Sequence, residues 1–149
     1  MVLNGKKLVG ILTEMSAQMN YIEYLVTGIG INANLREFPE ELEDKATSLQ
    51  KEIGHKVNRS ALIAECMEKI EENYEIFVKT QDLSGLMAAY QEALVNQDQQ
   101  VRVLEPGHEY TGVARGINAM GELLVEKEDG TITEVYAGEV SVRGLYGYV

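Results

Sequence analysis

Apolar and polar positions along the chain fall into three regimes, and the first is β-like. The stub Val2-Leu3 is separated by Asn4-Gly5 from the run Leu8-Val9-Gly10-Ile11-Leu12-Thr13-Glu14. Asn-Gly is a strong hairpin signal because both central residues of a type I′ turn need positive φ. A second β-rich run, residues 21–27, is expected to pair antiparallel with the first, leaving residues 16–20 as a loop. It leads into Gly28-Ile29-Gly30-Ile31-Asn32-Ala33-Asn34, where glycine should loosen the strand and the asparagines end it.

Helical periods follow. Pro39 suits a first turn, and Glu40, Glu41, Glu43 and Asp44 complement the positive end of a helix dipole. Leu42, Ala46, Leu49 and Ile53 then recur at helical spacing up to Gly54. Asn58 is the expected N-cap of a longer helix. On it Leu62, Ile63, Met67, Ile70, Tyr74, Phe77 and Val78 make one apolar face, opposite Glu65, Glu68, Glu71, Glu72 and Glu75. Ser84 is expected to cap a third helix carrying Leu86, Met87, Tyr90 and Leu94. Such stripes ordinarily face a core.

Beyond the polar connector 95–100 the pattern is β only. Short apolar runs at 101–104, 110–114, 123–125, 132–136 and 140–142 are punctuated by Pro106-Gly107, Gly116, Gly121 and Asp129-Gly130. Several short strands with regular turn signals in so small a region predict a barrel. The expected class is α+β, with one unit over 1–97 and a second over 98–149.

Composition narrows the function classes. The 149 residues carry 13 basic and 24 acidic groups, a formal charge of −11. The excess is spread along the chain: residues 1–97 hold 9 basic and 15 acidic groups, residues 98–149 hold 4 and 9. That balance argues against a duplex-DNA or anionic-membrane binder, which needs clustered Lys and Arg. Cys66 is the only cysteine, so an internal disulfide is impossible, and its helical setting suggests a buried, inert thiol. No apolar run approaches the roughly 20 residues of a membrane span, and no secretory signal opens the chain. A cytoplasmic protein is expected.

Most catalytic classes lack their parts. His55 and His108 are the only histidines, and neither has metal-ligand spacing to the other or to Cys66. No nucleophile elbow or Cys-His arrangement is present. One constellation remains. Lys6-Lys7 places a cation before an apolar strand, and Gly28-Ile29-Gly30-Ile31-Asn32 places two glycines and an amide on the neighbouring one. Glycine permits close approach of a ligand to backbone, and a lysine there is a point charge for phosphate or carboxylate. Taken alone, a bulge or packing glycine is the commoner explanation.

Five ordered blocks carry a resemblance. They are Gly5-Lys6-Lys7-Leu8-Val9-Gly10-Ile11-Leu12-Thr13-Glu14, then Gly28-Ile29-Gly30-Ile31-Asn32-Ala33-Asn34. Next come Phe38-Pro39-Glu40-Glu41-Leu42 with Ala46-Thr47-Ser48-Leu49, then Asn58-Arg59, then Gly138-Glu139-Val140-Ser141-Val142-Arg143-Gly144. Together they resemble the biotin protein ligases from residue 2 to the C-terminus. The resemblance implies a partial ligase catalytic domain over 1–97 and an SH3-like barrel over 98–149. It implies ATP-dependent activation of biotin to biotinyl-5′-adenylate, with Mg²⁺, and transfer to a lysine of a carboxylase's biotin carrier domain.

By the same resemblance Lys7 is the catalytic cation, bridging the biotin carboxylate and the α-phosphate. Gly10, Leu12 and Gly28 line the biotin pocket with it. Gly30, Asn32 and Arg143 attend the nucleotide, Asn32 also reaching Mg²⁺. Glu139 and Arg59 match with less defined roles, and Lys6 should point away from Lys7. The family's Arg- and Gly-rich adenylate loop lies upstream of the lysine segment and has no counterpart here. The chain thus looks like the C-terminal half of a ligase with little activity of its own and no nucleic-acid-binding segment. Uncovered sheet edges at 8–14 and 21–27 would then invite a homodimer.

Overall fold

The computed structural model describes residues 1–105 and 107–136, together with the backbone of residues 141–144. By internal contacts the chain divides into two units, residues 1–64 and 65–148.

The first unit starts with a hairpin of two-residue strands, β1 (Val2–Leu3) and β2 (Lys6–Lys7). Asn4 and Gly5 hold φ of 51° and 77° between them, as the Asn-Gly turn requires. The strand does not run straight on. Leu8 separates β2 from β3 (Val9–Gln18), and the amides of Leu8 and Val9 both donate to Met1 O, at 3.0 and 3.2 Å. β3 pairs antiparallel with β4 (Tyr21–Ile31) in a long two-stranded ribbon. One expectation is corrected here. Residues 16–18 are strand rather than loop, with a bulge at Ser16/Ala17, so only Met19-Asn20 turns the chain. β4 continues through Gly28 and Gly30 to Ile31 and stops before Asn32, the first of the asparagines expected to end it.

The helix expected over 39–54 is also broken. Pro39 leads a single 3₁₀ turn (Glu40–Leu42), and α1 spans only Leu49–Ile53. Between them residues 43–45 make a turn and the chain then leaves the helix, Ala46 forming a parallel bridge to Lys7. Ser48 starts α1 by accepting the Lys51 amide at 3.1 Å, and Gly54 ends it at φ 81°. Ala46, Thr47, Ser48 and Gln50 are buried, making this segment the packed centre of the unit.

α2 (Arg59–Thr80) crosses the division between the units. Asn58 Oδ1 accepts from the amides of Ser60 and Ala61 at its start, which is the expected cap. Its apolar stripe is present but uncovered. No residue of α2 is buried, and Ile63, Met67 and Tyr74 are each more than half exposed. Cys66 is half-buried rather than enclosed.

In the second unit α3 (Met87–Ala93) starts at Leu86. The Ser84 amide donates to Asp82 Oδ1 instead of Ser84 capping the helix, and Gly85 sits so close to Ile76 that a Cβ there would lie 2.6 Å from its methyl. Five antiparallel strands follow: β5 (Gln100–Leu104), β6 (Tyr110–Ile117), β7 (Leu123–Glu126), β8 (Ile132–Val135) and β9 (Ser141–Gly144). Their order is β8-β7-β6-β5-β9, and no pairing of β8 with β9 is seen among the described residues. Alternation puts Val101, Val103, Ala114, Val125 and Val135 into one core, with Tyr110 and Leu123 against it. The molecule is thus α+β, a few helices with antiparallel sheets.

Candidate functional site

The ribbon register brings four of the candidate residues onto one face. Gly10 lies opposite Gly30, and Leu12 opposite Gly28. Directly paired residues share a face, as do residues two apart on a strand, so all four line one surface. Leu12 is 66% exposed there. Among the described residues nothing demands these glycines. None of the three has a positive φ, and a Cβ would meet only ordinary contacts at 3.7–3.8 Å. Strand glycine costs stability and leaves nothing to pack, and the described contacts give no packing reason for it here.

Lys7 joins this face despite the parity of the sequence. Strict alternation from residue 7 to residue 10 would put the two on opposite sides. The break at Leu8 interrupts the alternation, and Lys7 Cε lies 3.8 Å from where a Gly10 Cβ would stand. Among the described residues the Lys7 ammonium takes part in no hydrogen bond or ion pair. Lys6 differs: its Nζ donates to Glu43 O at 2.9 Å.

The segment 45–49, buried at Ala46, Thr47 and Ser48, holds the backbones of both polar candidates. The Lys7 amide donates to Lys45 O at 2.8 Å, and Lys7 O accepts from the Thr47 amide at 3.0 Å. Asn32 donates its amide to Leu8 O at 3.0 Å, and its carbonyl accepts from the Leu49 amide at 2.9 Å. Lys7 and Asn32 therefore hang from the two ends of one short stretch. Sequence reasoning read that stretch as helix and missed its part in the site. The signal available was Ser48, a good N-cap that marks a helix start there rather than a helix interior.

Glu52 was also missed. Its Oε1 accepts from the buried Thr47 hydroxyl at 2.5 Å and its Oε2 from Asn4 Nδ2 at 2.6 Å. The Thr47 bond first, then the Asn4 bond, hold its carboxyl below the usual range.

The remaining candidates lie elsewhere in the chain. Arg59 opens α2 and is exposed. Arg143 lies in β9, its backbone opposite Arg102. Glu139 lies outside the described residues. His55 and His108 are exposed, and among the described residues no group of three or more His, Cys, Asp or Glu could hold a metal. Asn32 supplies a single neutral side-chain oxygen, which suits an ion held mainly by phosphates and water rather than a dedicated cage. An ammonium such as that of Lys7 suits anionic oxygens. No helix among the described residues is long and apolar enough to cross a membrane.

Residues 98–143 match the model of the biotin protein ligase C terminal domain. The bifunctional ligase/repressor BirA of Bacillus spizizenii is 32% identical over 143 residues, which is 95% of this chain and 43% of that protein. BirA of Escherichia coli is 28% identical over 141 residues, again 43% of its length. Among solved structures, the apo biotin protein ligase of Aquifex aeolicus superposes with a TM-score of 0.81 at 31% identity, covering 95% of this chain and 61% of that one. The same ligase in complex with biotin and ATP gives 0.77 at 29% identity over 58% of its chain. The chain spans less than half the length of these curated relatives. In sequence and in fold, 95% of this chain is thus similar to biotin protein ligases, and its residues 98–143 match their C-terminal domain.

Proposed function

We propose that the chain carries part of the reaction centre of a biotin protein ligase, with Lys7 as its catalytic cation. In that reaction the biotin carboxylate attacks the α-phosphorus of ATP, pyrophosphate leaves, and biotinyl-5′-adenylate forms. A lysine amine of a biotin carrier domain then attacks the acyl carbon and AMP leaves. Two anions must approach one another in the first step. Lys7 offsets that repulsion and stabilises the charge that develops at the phosphorus. Gly10, Leu12 and Gly28 offer the biotin ring bare backbone and one aliphatic side chain. Gly30 and Asn32 attend the nucleotide phosphates, Asn32 reaching their Mg²⁺, and Arg143 is assigned to the nucleotide by the family resemblance alone. The observation that carries this reading is the shared face. It sets an ammonium, without a partner among the described residues, beside three glycines that the described contacts do not require.

We take residues 1–97 as the catalytic-domain portion and 98–149 as an SH3-like domain, a boundary supported by the family match beginning at residue 98. Activity of this chain alone is expected to be weak. The test is incubation with biotin and MgATP, followed by mass spectrometry for retained adenylate. Adenylate lost in Lys7→Ala and kept in Lys6→Ala supports the assignment, and equal behaviour of the two variants rejects it.

A second reading rests on the uncovered apolar surface. Ile11, Met15, Leu25 and Ile29 on the opposite face of the ribbon are all exposed, and β3 and β4 pair only with each other among the described residues. Such edges favour strand addition between copies, making the chain a non-catalytic dimerisation module. Sedimentation across a concentration series distinguishes it: a concentration-dependent dimer without adenylate leaves this reading alone.

A further inference from the structure

We propose that Glu52 is a positioning residue that holds Lys7 in place. The inference rests on the reading of Lys7 as the substrate-facing cation, and its argument is geometric. Lys7 ends a hairpin whose strands are two residues each, too small to hold a conformation unaided. Its own peptide is fixed at both ends by segment 45–47, through Lys45 O and the Thr47 amide. Glu52 fastens the two parts that border it. One carboxylate oxygen takes the hydroxyl of Thr47, which is 1% exposed and whose amide holds Lys7 O. The other takes Asn4 Nδ2, in the turn that delivers the chain to Lys6-Lys7.

A carboxylate on a short exposed helix is ordinarily a solvated surface group. This one instead bridges the turn at Asn4 and the buried Thr47, and both are adjacent to Lys7. Lys6 adds a separate tether through Nζ to Glu43 O. The face below Lys7 is bare at Gly10, so no side chain there limits where the ammonium goes. Its placement therefore depends on how firmly the Lys7 peptide is held, and Glu52 is the side chain that ties that peptide's supports together.

The test uses the 149-residue chain and reads amide hydrogen exchange by NMR in wild type, Glu52→Gln and Glu52→Ala. Exchange at Lys7 and Thr47 should speed up by about fivefold or more in Glu52→Ala, the effect of losing two hydrogen bonds to a charged group. Val101 and Val125 in the second unit should stay as in wild type. Glu52→Gln, which keeps one acceptor oxygen, should fall between. Wild-type exchange at Lys7 in Glu52→Ala overturns the proposal. If the alanine variant loses protection everywhere, Glu52→Gln decides by the same criterion.

Biotin titration by calorimetry then separates positioning from general support. Glu52→Ala should weaken biotin binding in the parent and have no further effect in the Lys7→Ala background. Equal weakening in both backgrounds overturns the positioning role. Biotin binding that is absent in wild type, or indifferent to Lys7→Ala, rejects the reading of Lys7, and the exchange result still decides whether Glu52 holds that strand.

Discussion

Lys7 and Gly10 stand against each other across the break at Leu8, with Lys7 Cε 3.8 Å from the position a Gly10 Cβ would take. The spacing is ordinary van der Waals separation, so a small side chain at 10 is tolerated by the fold while occupying the space where a ligand would lie under the ammonium.

That separation of stability from binding can be measured at Gly28, farther along the same face. A Cβ there meets only Leu12 O at 3.7 Å. Gly28→Ala should raise unfolding free energy by about 0.5–1 kcal/mol, since strand glycine carries that entropic penalty relative to alanine. Biotin affinity should fall by about tenfold, because the added methyl holds the ring away from the backbone it would otherwise approach. A destabilised Gly28→Ala protein would show that packing, not a ligand, accounts for the glycine; denaturant titration and calorimetry read the two effects.

Gly112 is the opposite case. A Cβ there would lie 2.5 Å from Glu126 O and 2.6 Å from a Val125 methyl, where β6 and β7 press together. Gly112→Ala should cost about 1–3 kcal/mol through forced backbone movement, seen as a lower denaturation midpoint, with the adenylate assay of the first unit as a separate readout.

Ser48 is fully buried, donates its hydroxyl to Leu35 O and accepts the Lys51 amide. Ser48→Ala removes the cap of α1 and leaves the Leu35 carbonyl without that donor, so unfolding free energy should drop by about 1–3 kcal/mol. A loss below the error of a denaturant titration would mean that α1 does not depend on its cap.

Acid should loosen the start of the second sheet. The hydrogen bond from Arg115 first, and that from Gln97 next, hold the Asp98 carboxyl below its usual range. Arg115 also donates to Glu126 at 2.6 Å, so it ties the connector at 98 to β7. A carboxyl whose folded pKa is depressed contributes stability above its unfolded pKa and loses it as pH falls through the folded value. Asp98→Asn should therefore lower stability at neutral pH and flatten its decline below about pH 4. An unchanged acid limb in Asp98→Asn would remove Asp98 from the account.

Much of the architecture is legible in local chemistry. Asn4-Gly5 demands a tight turn, Asn58 caps the helix that the apolar period predicts, and the short strands after residue 100 follow from alternation and turn residues. The glycines at 28 and 30 and Asn32 could also be singled out, on a strand expected to neighbour residues 8–14, although their register could not.

Other features depend on partners far away in sequence. Residues 46–48 fall within a helical spacing, yet they leave the helix because Lys7, nearly forty residues earlier, offers an amide and a carbonyl that a helix at that point would leave unmet. The side on which Lys7 lies was not readable from alternation, since Leu8 and Val9 both turn their amides to Met1 O and interrupt the strand. Ser48 and Glu52 look like ordinary polar residues until folding sets Leu35 O, Thr47 and Asn4 beside them. The sequence by itself determined turns, caps and the amphipathic period of α2, because these are set by neighbours within a few residues. Only the tertiary structure decided which backbone groups pair across distant segments, and with that where the lysine of the glycine face comes to rest.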